Sequence, residues 1–278
     1  MYDFINYNRV ISVILKHNDT FHKLWQEIGK LDSAIAVASY RKSIPFYTTP
    51  IFVESEAVIA QEIYHPLLKN PVCNPVTLKR NCIVTGSNAS GKSTYVKAVA
   101  INGIFAQTIH TCLAESFALK PSLVITSMAV RDNVVDGDSY FIAEIKSLKR
   151  ILRSNSTDVR CLCFVDEILK GTNTIERIAA SASILTWLAE QNCLCIVATH
   201  DIEMTDILID IYDNYHFREQ ITAEGIHFDY KIYNGWTTTR NAIQLLDFMD
   251  YPAEIVSQAQ TYAETFETTH KWKRAIRS

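Results

Sequence analysis

Apolar residues near the N-terminus recur at intervals of three and four: Phe21, Leu24, Trp25, Ile28, Leu31 and Ile35. That spacing places them on one face of a helix, with Asp19-Thr20 positioned to cap its start. An earlier segment carrying Ile5, Val10, Val13 and Ile14 reads as a partner helix. Together the two predict an antiparallel helical hairpin that turns between Lys16 and Asp19. Ser43-Ile-Pro45 to Pro50 then breaks the pattern, because proline lacks the backbone donor that a continuing helix needs. The expected division is a helical segment over 1–45 and a second domain over 46–278. A helical pair starting at Met1 with no core before it also reads as a piece of something longer.

Beyond the break the pattern changes. Residues 51–80 contain short apolar runs punctuated by Pro66, Pro71 and Pro75, as in edge strands and loops. From 81 onward, fully apolar runs alternate with amphipathic stretches. Residues 123–126, 161–165 and 193–198 read as strands. Val96, Val99, Ala100 and Ile104 mark one helix. Phe141, Ile145, Leu148 and Leu152 mark a second, over about 138–153. Ile175, Ile178, Ala179, Ala182, Leu185 and Leu188 mark a third. Strands apolar on both faces that alternate with helices predict a mostly parallel sheet covered on both sides. Ile226, Phe228, Tyr230 and Ile232 alternate with polar neighbours, which predicts a half-exposed antiparallel strand. Two helices are expected after it, over 239–249 and about 252–269, the second with Pro252 at its first position.

Composition narrows this little. The chain has 278 residues, 48% hydrophobic and 21% charged, with a net charge of −3. These values fit a globular protein with a sizeable core and give no global electrostatic case for nucleic acid. The one basic cluster, His270-Lys271-Trp272-Lys273-Arg274 with Arg277, reads as a solvated helix end. No apolar run approaches the ~20 residues of a membrane helix and no signal layout opens the chain, so a cytoplasmic protein is expected. Four of the seven cysteines alternate as Cys161-Leu-Cys163 and Cys193-Leu-Cys195. That is the habit of small hydrophobes in buried strands rather than of metal ligands or a disulfide framework.

The chemistry begins at Asn81-Cys-Ile-Val-Thr-Gly-Ser-Asn-Ala-Ser-Gly-Lys-Ser-Thr94. A short apolar strand breaks at Gly86, and Gly91, Lys92 and Ser93 follow in the G-x-x-x-x-G-K-[ST] spacing of a P-loop. The glycines let the backbone approach a phosphate chain, and the amides that follow converge at the positive end of a helix. Lys92 can reach the β- and γ-phosphates, and the Ser93 hydroxyl can ligate Mg²⁺. The strand at 161–165 delivers Asp166 to the sheet's carboxyl edge, where it can hold Mg²⁺ directly or through water. Glu167, one residue on, is placed to orient and deprotonate an attacking water. The next buried strand ends in Thr199-His200-Asp201, which makes His200 a candidate γ-phosphate sensor.

In order, the stretches Thr85 to Thr94, Asp138-Ser-Tyr-Phe-Ile-Ala-Glu-Ile145, Phe164-Val-Asp-Glu-Ile-Leu-Lys-Gly-Thr-Asn-Thr174 and Ala198-Thr-His200 resemble the Walker A, signature, Walker B with D-loop, and H-loop motifs of the MutS family of DNA mismatch repair ATPases. The resemblance runs from about residue 20 to about 265. It implies an α/β fold of the ABC/MutS P-loop NTPase type. ATP and Mg²⁺ would be bound by Gly86, Ser87, Asn88, Ala89, Ser90, Gly91, Lys92, Ser93 and Thr94, with Asn74 near the nucleotide and Ser93 and Asp166 on the metal. It also implies a homodimer with composite ATP sites. Ser139 would reach in trans to the γ-phosphate on the partner, with Glu144 nearby, while Gly171, Thr172 and Asn173 would touch the opposite subunit. Read from the residues alone, Ser139 is a helix N-cap and Asn173 a turn residue. The first helices resemble the end of a lever coupling the ATPase to a DNA clamp. DNA would be contacted mostly through regions outside this chain, with a further repair protein as a candidate partner.

Some positions depart from that family. No aromatic residue stands near Pro71-Val72 to stack on a base, Asp138 stands where a basic residue is usual, and Cys112-Leu-Ala-Glu115 replaces a proline-containing loop. These imply a divergent branch. No mismatch-reading domain is expected within this length. Competing readings are a nucleotide-gated docking module with negligible hydrolysis and a MutS-like protein of recombination control. A transporter-type ATPase is disfavoured because no Leu-Ser-Gly-Gly-Gln signature occurs.

Overall fold

The structure is a computed structural model that describes residues 2–128, 140–154, 159–222, 225–236, 242–272 and 274. It opens with two helices, α1 (Tyr2–Lys16) and α2 (Asn18–Ser43). The expected hairpin is not confirmed. Only His17 separates the helices, and helical hydrogen bonds run through it: its N–H donates to the Val13 carbonyl at 3.0 Å and its own carbonyl accepts from Phe21 at 2.9 Å. A reversal needs a turn of several residues, and none intervenes. Neither helix contains a buried residue, so the apolar faces read from the sequence do not cover each other. α2 stops where Ile44, ahead of Pro45, takes extended geometry at φ −101° and ψ 152°, as the steric demand of a following proline dictates.

The chain continues through β1 (Ile51–Phe52), β2 (Val58–Ile63), β3 (Asn74–Leu78), β4 (Cys82–Thr85), α3 (Lys92–Thr108), β5 (Ser116–Leu119), β6 (Leu123–Ser127), α4 (Tyr140–Ser154), β7 (Cys161–Asp166), α5 (Thr174–Ala189), β8 (Cys193–Ala198), α6 (Glu203–Ile207), β9 (Asp213–Thr222), β10 (Gly225–Asn234), α7 (Ala242–Phe248) and α8 (Ala253–Thr269). Two sheets result. The larger has the order β10-β9-β4-β8-β7-β6, parallel throughout except for the antiparallel β10–β9 pair. The smaller, β1-β5-β2-β3, is mixed and was not foreseen. The mostly parallel sheet with flanking helices is therefore present, joined by a second sheet. Pro252 stands at the cap of α8, one residue before its first helical position.

The apolar strands of the large sheet divide their side chains between two cores, as the two-residue period of a strand requires. On one face Val84, Leu162, Phe164 and Ile196 pack with Val96 and Val99 of α3. On the other, Ile83, Cys161, Cys163, Val165 and Cys195 pack with Leu148 and Ile151 of α4 and Leu185 and Leu188 of α5. Cys161, Cys163 and Cys195 lie in the second core and Cys193 packs against it, as their alternation predicts. Burial pushes the Cys112 thiol up to about 12 and that of Cys161 to about 11, which keeps them protonated and unreactive.

The end of α2 is tied to the far end of α3, where the Tyr40 ring also packs edge-on against Phe105. The Arg41 guanidinium donates to the Thr111 hydroxyl at 2.9 Å and to the His110 carbonyl at 2.9 Å, just past the C-terminus of α3. A cation at that end satisfies orphan carbonyls and the negative pole of the helix. Among the described residues, no helix is long and apolar enough to cross a membrane.

Candidate active site

The register of the parallel strands brings three strand ends to one level. Val84 pairs with Ala198 and Ala198 with Asp166. The residues after β4, β8 and β7 thus leave the sheet side by side at its carboxyl edge, where open α/β sheets place ligands. Backbone bonds fix the levels: Thr199 N–H donates to Val84 at 3.1 Å and Glu167 N–H to Ala198 at 2.8 Å.

After Thr85 the chain turns through Gly86 (φ 143°), Ala89 (φ 64°) and Gly91 (φ 108°) into α3. A Cβ on Gly86 would lie 2.7 Å from the Phe217 carbonyl oxygen, a backbone atom that cannot swing aside, so this position requires glycine. Lys92, 5% exposed, folds over the loop. Its Nζ donates to the carbonyls of Gly86 and Ser87, each at 2.7 Å, and lies 3.4 Å from His200 Nε2. Burial lowers its pKa to about 8 against the opposing pull of Glu167 and Asp166. A buried ammonium held this way is poised for an anion that would stabilise its charge.

Ser93 Oγ donates to Asp166 Oδ1 at 2.9 Å. Hydroxyl and carboxylate oxygens are the hard donors Mg²⁺ accepts, with phosphate oxygens and water completing its octahedron. Among the described residues no cluster of three or more His, Cys, Asp or Glu is arranged to hold a metal.

Glu167 takes φ 61°, a costly conformation for a non-glycine residue. It aims its carboxylate between an imidazole and an ammonium: Oε1 lies 3.4 Å from His200 Nε2 and Oε2 3.0 Å from Lys170 Nζ. Burial first, then the neighbouring Lys92, lowers the His200 pKa, with Glu167 pulling the other way. The imidazole is therefore neutral near pH 7. Its Nε2 faces the Lys92 ammonium and the Glu167 carboxylate at equal distance. It accepts from the first when bare and donates to the second when protonated. Beyond it, Arg177 of α5 holds Asp201 with two bonds of 2.9 and 2.6 Å, which anchors the segment that carries His200.

These groups border a cavity of about 460 Å³. One wall is the loop from Asn88 through Thr94 with Glu167 and His200. The other is His65, Leu68, Val72, Asn74, Phe217 and Tyr230. Asn74 lines this cavity, and its amide is spent on β10: Nδ2 donates to the Tyr230 carbonyl and Oδ1 accepts from the Ile232 N–H, both at 2.9 Å. It thereby fixes Tyr230, which stands at φ 54° in a bulge of β10. Tyr230 joins Tyr64, Tyr95 and Phe217 in giving this pocket the aromatic rings that Pro71 and Val72 lack. Sequence reasoning missed it because 156 residues separate Tyr230 from Asn74, and in the alternation it reads as an ordinary inward residue.

Asn173 is the N-cap of α5, its Oδ1 accepting from Ile175 N–H at 2.9 Å, rather than a turn residue. Gly171 and Thr172 lie in the loop after Glu167. Ser139 and Asp138 lie outside the described residues.

A phosphate-cradling loop that opens a helix from a central strand, with an acidic pair two strands away at the same level, defines a P-loop NTPase domain. Residues 82–267 match the family model of MutS domain V, and the chain belongs to the MutS family, of which that domain is the P-loop ATPase domain. The chain is similar to DNA mismatch repair protein MutS of Natronomonas pharaonis, at 27% identity over 271 residues that cover 92% of this chain and 31% of that protein. Human MutS protein homolog 4 is 28% identical over 271 residues, 91% of this chain and 28% of the relative. The DNA mismatch repair protein spellchecker 1 of Drosophila melanogaster is 27% identical over 278 residues, 94% and 30%. The chain thus spans about a third of the length of the curated relatives it matches.

Proposed function

We propose that this chain is the ATP-hydrolysing unit of a MutS-family protein and that its turnover drives a DNA transaction, with DNA mismatch repair as the process its relatives are named for. The observation that carries this is the cluster Lys92–His200–Glu167, with contacts of 3.4 Å on both sides of the imidazole, standing beside the Ser93–Asp166 pair. A module that only sensed nucleotide would need the loop and the metal pair. It would not need a carboxylate held in an αL conformation beside a neutral imidazole.

In this reading the loop amides and Lys92 bind the triphosphate. Ser93 and Asp166 hold Mg²⁺, which neutralises charge on the β- and γ-phosphates when bound. Glu167 orients and deprotonates the water, and His200 contacts the γ-phosphate and carries its state to the loop after β8. Tyr230 offers a ring face to the base. Two copies associate around nucleotide, with Ser139 and the loop at 171–173 of each completing the other's site, and the helices α1 and α2 transmit the change toward DNA. Steady-state ATP turnover of Glu167→Gln tests the core of the reading. ATP binding that persists with turnover lost supports it, and turnover equal to the parent chain would sink it.

A further inference from the structure

Glu144 takes no part in the site just described, yet it is 4% exposed. A carboxylate this far from water must be satisfied by donors. Its donors are backbone amides of the loop after Glu167: Lys170 N–H reaches Oε1 at 3.2 Å and Gly171 N–H reaches Oε2 at 3.4 Å. One carboxylate on α4 thus straddles two successive amides of a different element, 26 and 27 residues away in the chain.

That loop needs an external hold. It contains two non-glycine residues at positive φ, Glu167 at 61° and Leu169 at 53°, which persist only where surroundings over-determine them. Its N-terminal end is pinned by the Glu167 N–H bond to Ala198. Its floor is pinned by Ile168 and Leu169, both buried in the core against α4 and α5. The remaining end is held by Glu144. The Lys170–Glu167 ion pair does not do this job, because the Lys170 side chain is 58% exposed and a pair so open to solvent contributes little.

We infer that Glu144 is a positioning residue for hydrolysis: by clamping the Lys170 and Gly171 amides it sets the loop in which the Glu167 carboxylate is aimed at the water to be activated. It makes α4, the helix that follows the Ser139 segment, a direct support of the general base on the same subunit. The inference rests on the reading of Glu167 as that base.

The test uses Glu144→Gln, in which one acceptor oxygen becomes an NH₂ group facing an amide donor, and Glu144→Asp, which keeps the charge one methylene short. For each, kcat and KM for ATP, the thermal midpoint, and amide hydrogen exchange over 167–172 are measured beside the parent chain and Glu167→Gln. A misplaced base should lower kcat about tenfold in Glu144→Gln with KM held within about twofold. Exchange of the loop amides should be faster, and Glu144→Asp should fall between that variant and the parent. A folded Glu144→Gln with parental kcat, with unchanged exchange, or with kcat lost only in step with ATP affinity overturns the inference. If Glu144→Gln does not fold, Glu144→Asp decides: a reduced kcat at unchanged KM supports the inference, and a parental kcat overturns it. Turnover that does not depend on Glu167 sinks the proposed function and the inference with it, whereas turnover that needs Glu167 and ignores Glu144 sinks the inference alone.

Discussion

α2, with one apolar face, and β7, apolar along almost its whole length, have opposite fates. Phe164, on β7, is wholly enclosed between α3 and the neighbouring strands, whereas Trp25, on α2, leaves 69% of its surface to solvent. Phe21, Leu24, Ile28 and Leu31 are exposed in the same way. The difference lies in what each element finds opposite it. β7 has strands on both sides and helices above and below, so its side chains meet partners at every period. Among the described residues, α2 meets the rest of the molecule along its C-terminal part, most firmly through Arg41 and Tyr40. A periodic apolar face states that a helix has a side to bury, but does not say what buries it.

The largest expected effect tests the active half of that contrast. Glu167→Gln should lower kcat by about 10²–10⁴-fold, the range for loss of a positioned general base, with binding of a fluorescent ATP analogue retained. Next, Phe164→Ala should cost about 3–5 kcal/mol in urea unfolding, whereas Trp25→Ala should stay within about 0.5 kcal/mol. Equal losses at the two positions would break the comparison. Asn173→Ala removes the cap of α5 and should cost about 1 kcal/mol, read as a shift in the urea midpoint at constant slope.

The smallest effect is protonic. In the folded chain Lys92 titrates at about 8, whereas an unfolded lysine keeps its proton to about 10.5. Between those values the unfolded state binds more protons, so this residue makes stability rise with pH across that window. Phosphate would restore its charge. ATP binding near pH 8.5 should therefore take up a fraction of a proton, measured by calorimetry in buffers of different ionisation enthalpy, and at pH 7 this residue should contribute none. Uptake that persists undiminished at pH 7 would assign the proton to another group.

Much of the active region was legible because its chemistry is local. Gly86, Gly91, Lys92 and Ser93 lie within eight residues, and Asp166-Glu167 and Thr199-His200 each end a run of apolar residues that can only be a buried strand. What escaped was nonlocal or diluted. β9 carries Asp213, Asn214, His216, Arg218 and Glu219 among its ten residues, so its period is masked although Phe217 is buried. β5 has four residues, too few to show an alternation. Asn173 read as a turn because capping depends on where α5 begins. The hairpin failed for a different reason: 17–19 lacks the glycine or proline that forces a reversal, and the helical bonds continue through His17.

The clasp of Arg41 on the far end of α3 has a mechanical meaning. α3 has 17 residues, a rod of about 25 Å at the rise of an α-helix. Its first residue is Lys92, and the guanidinium of Arg41 holds the backbone just beyond its last. The rod therefore spans the distance between the loop at 86–91 and the point where Arg41 meets His110 and Thr111. That junction fastens α2, a helix with no buried residue, at the opposite end of α3 from the P-loop, about one helix length away.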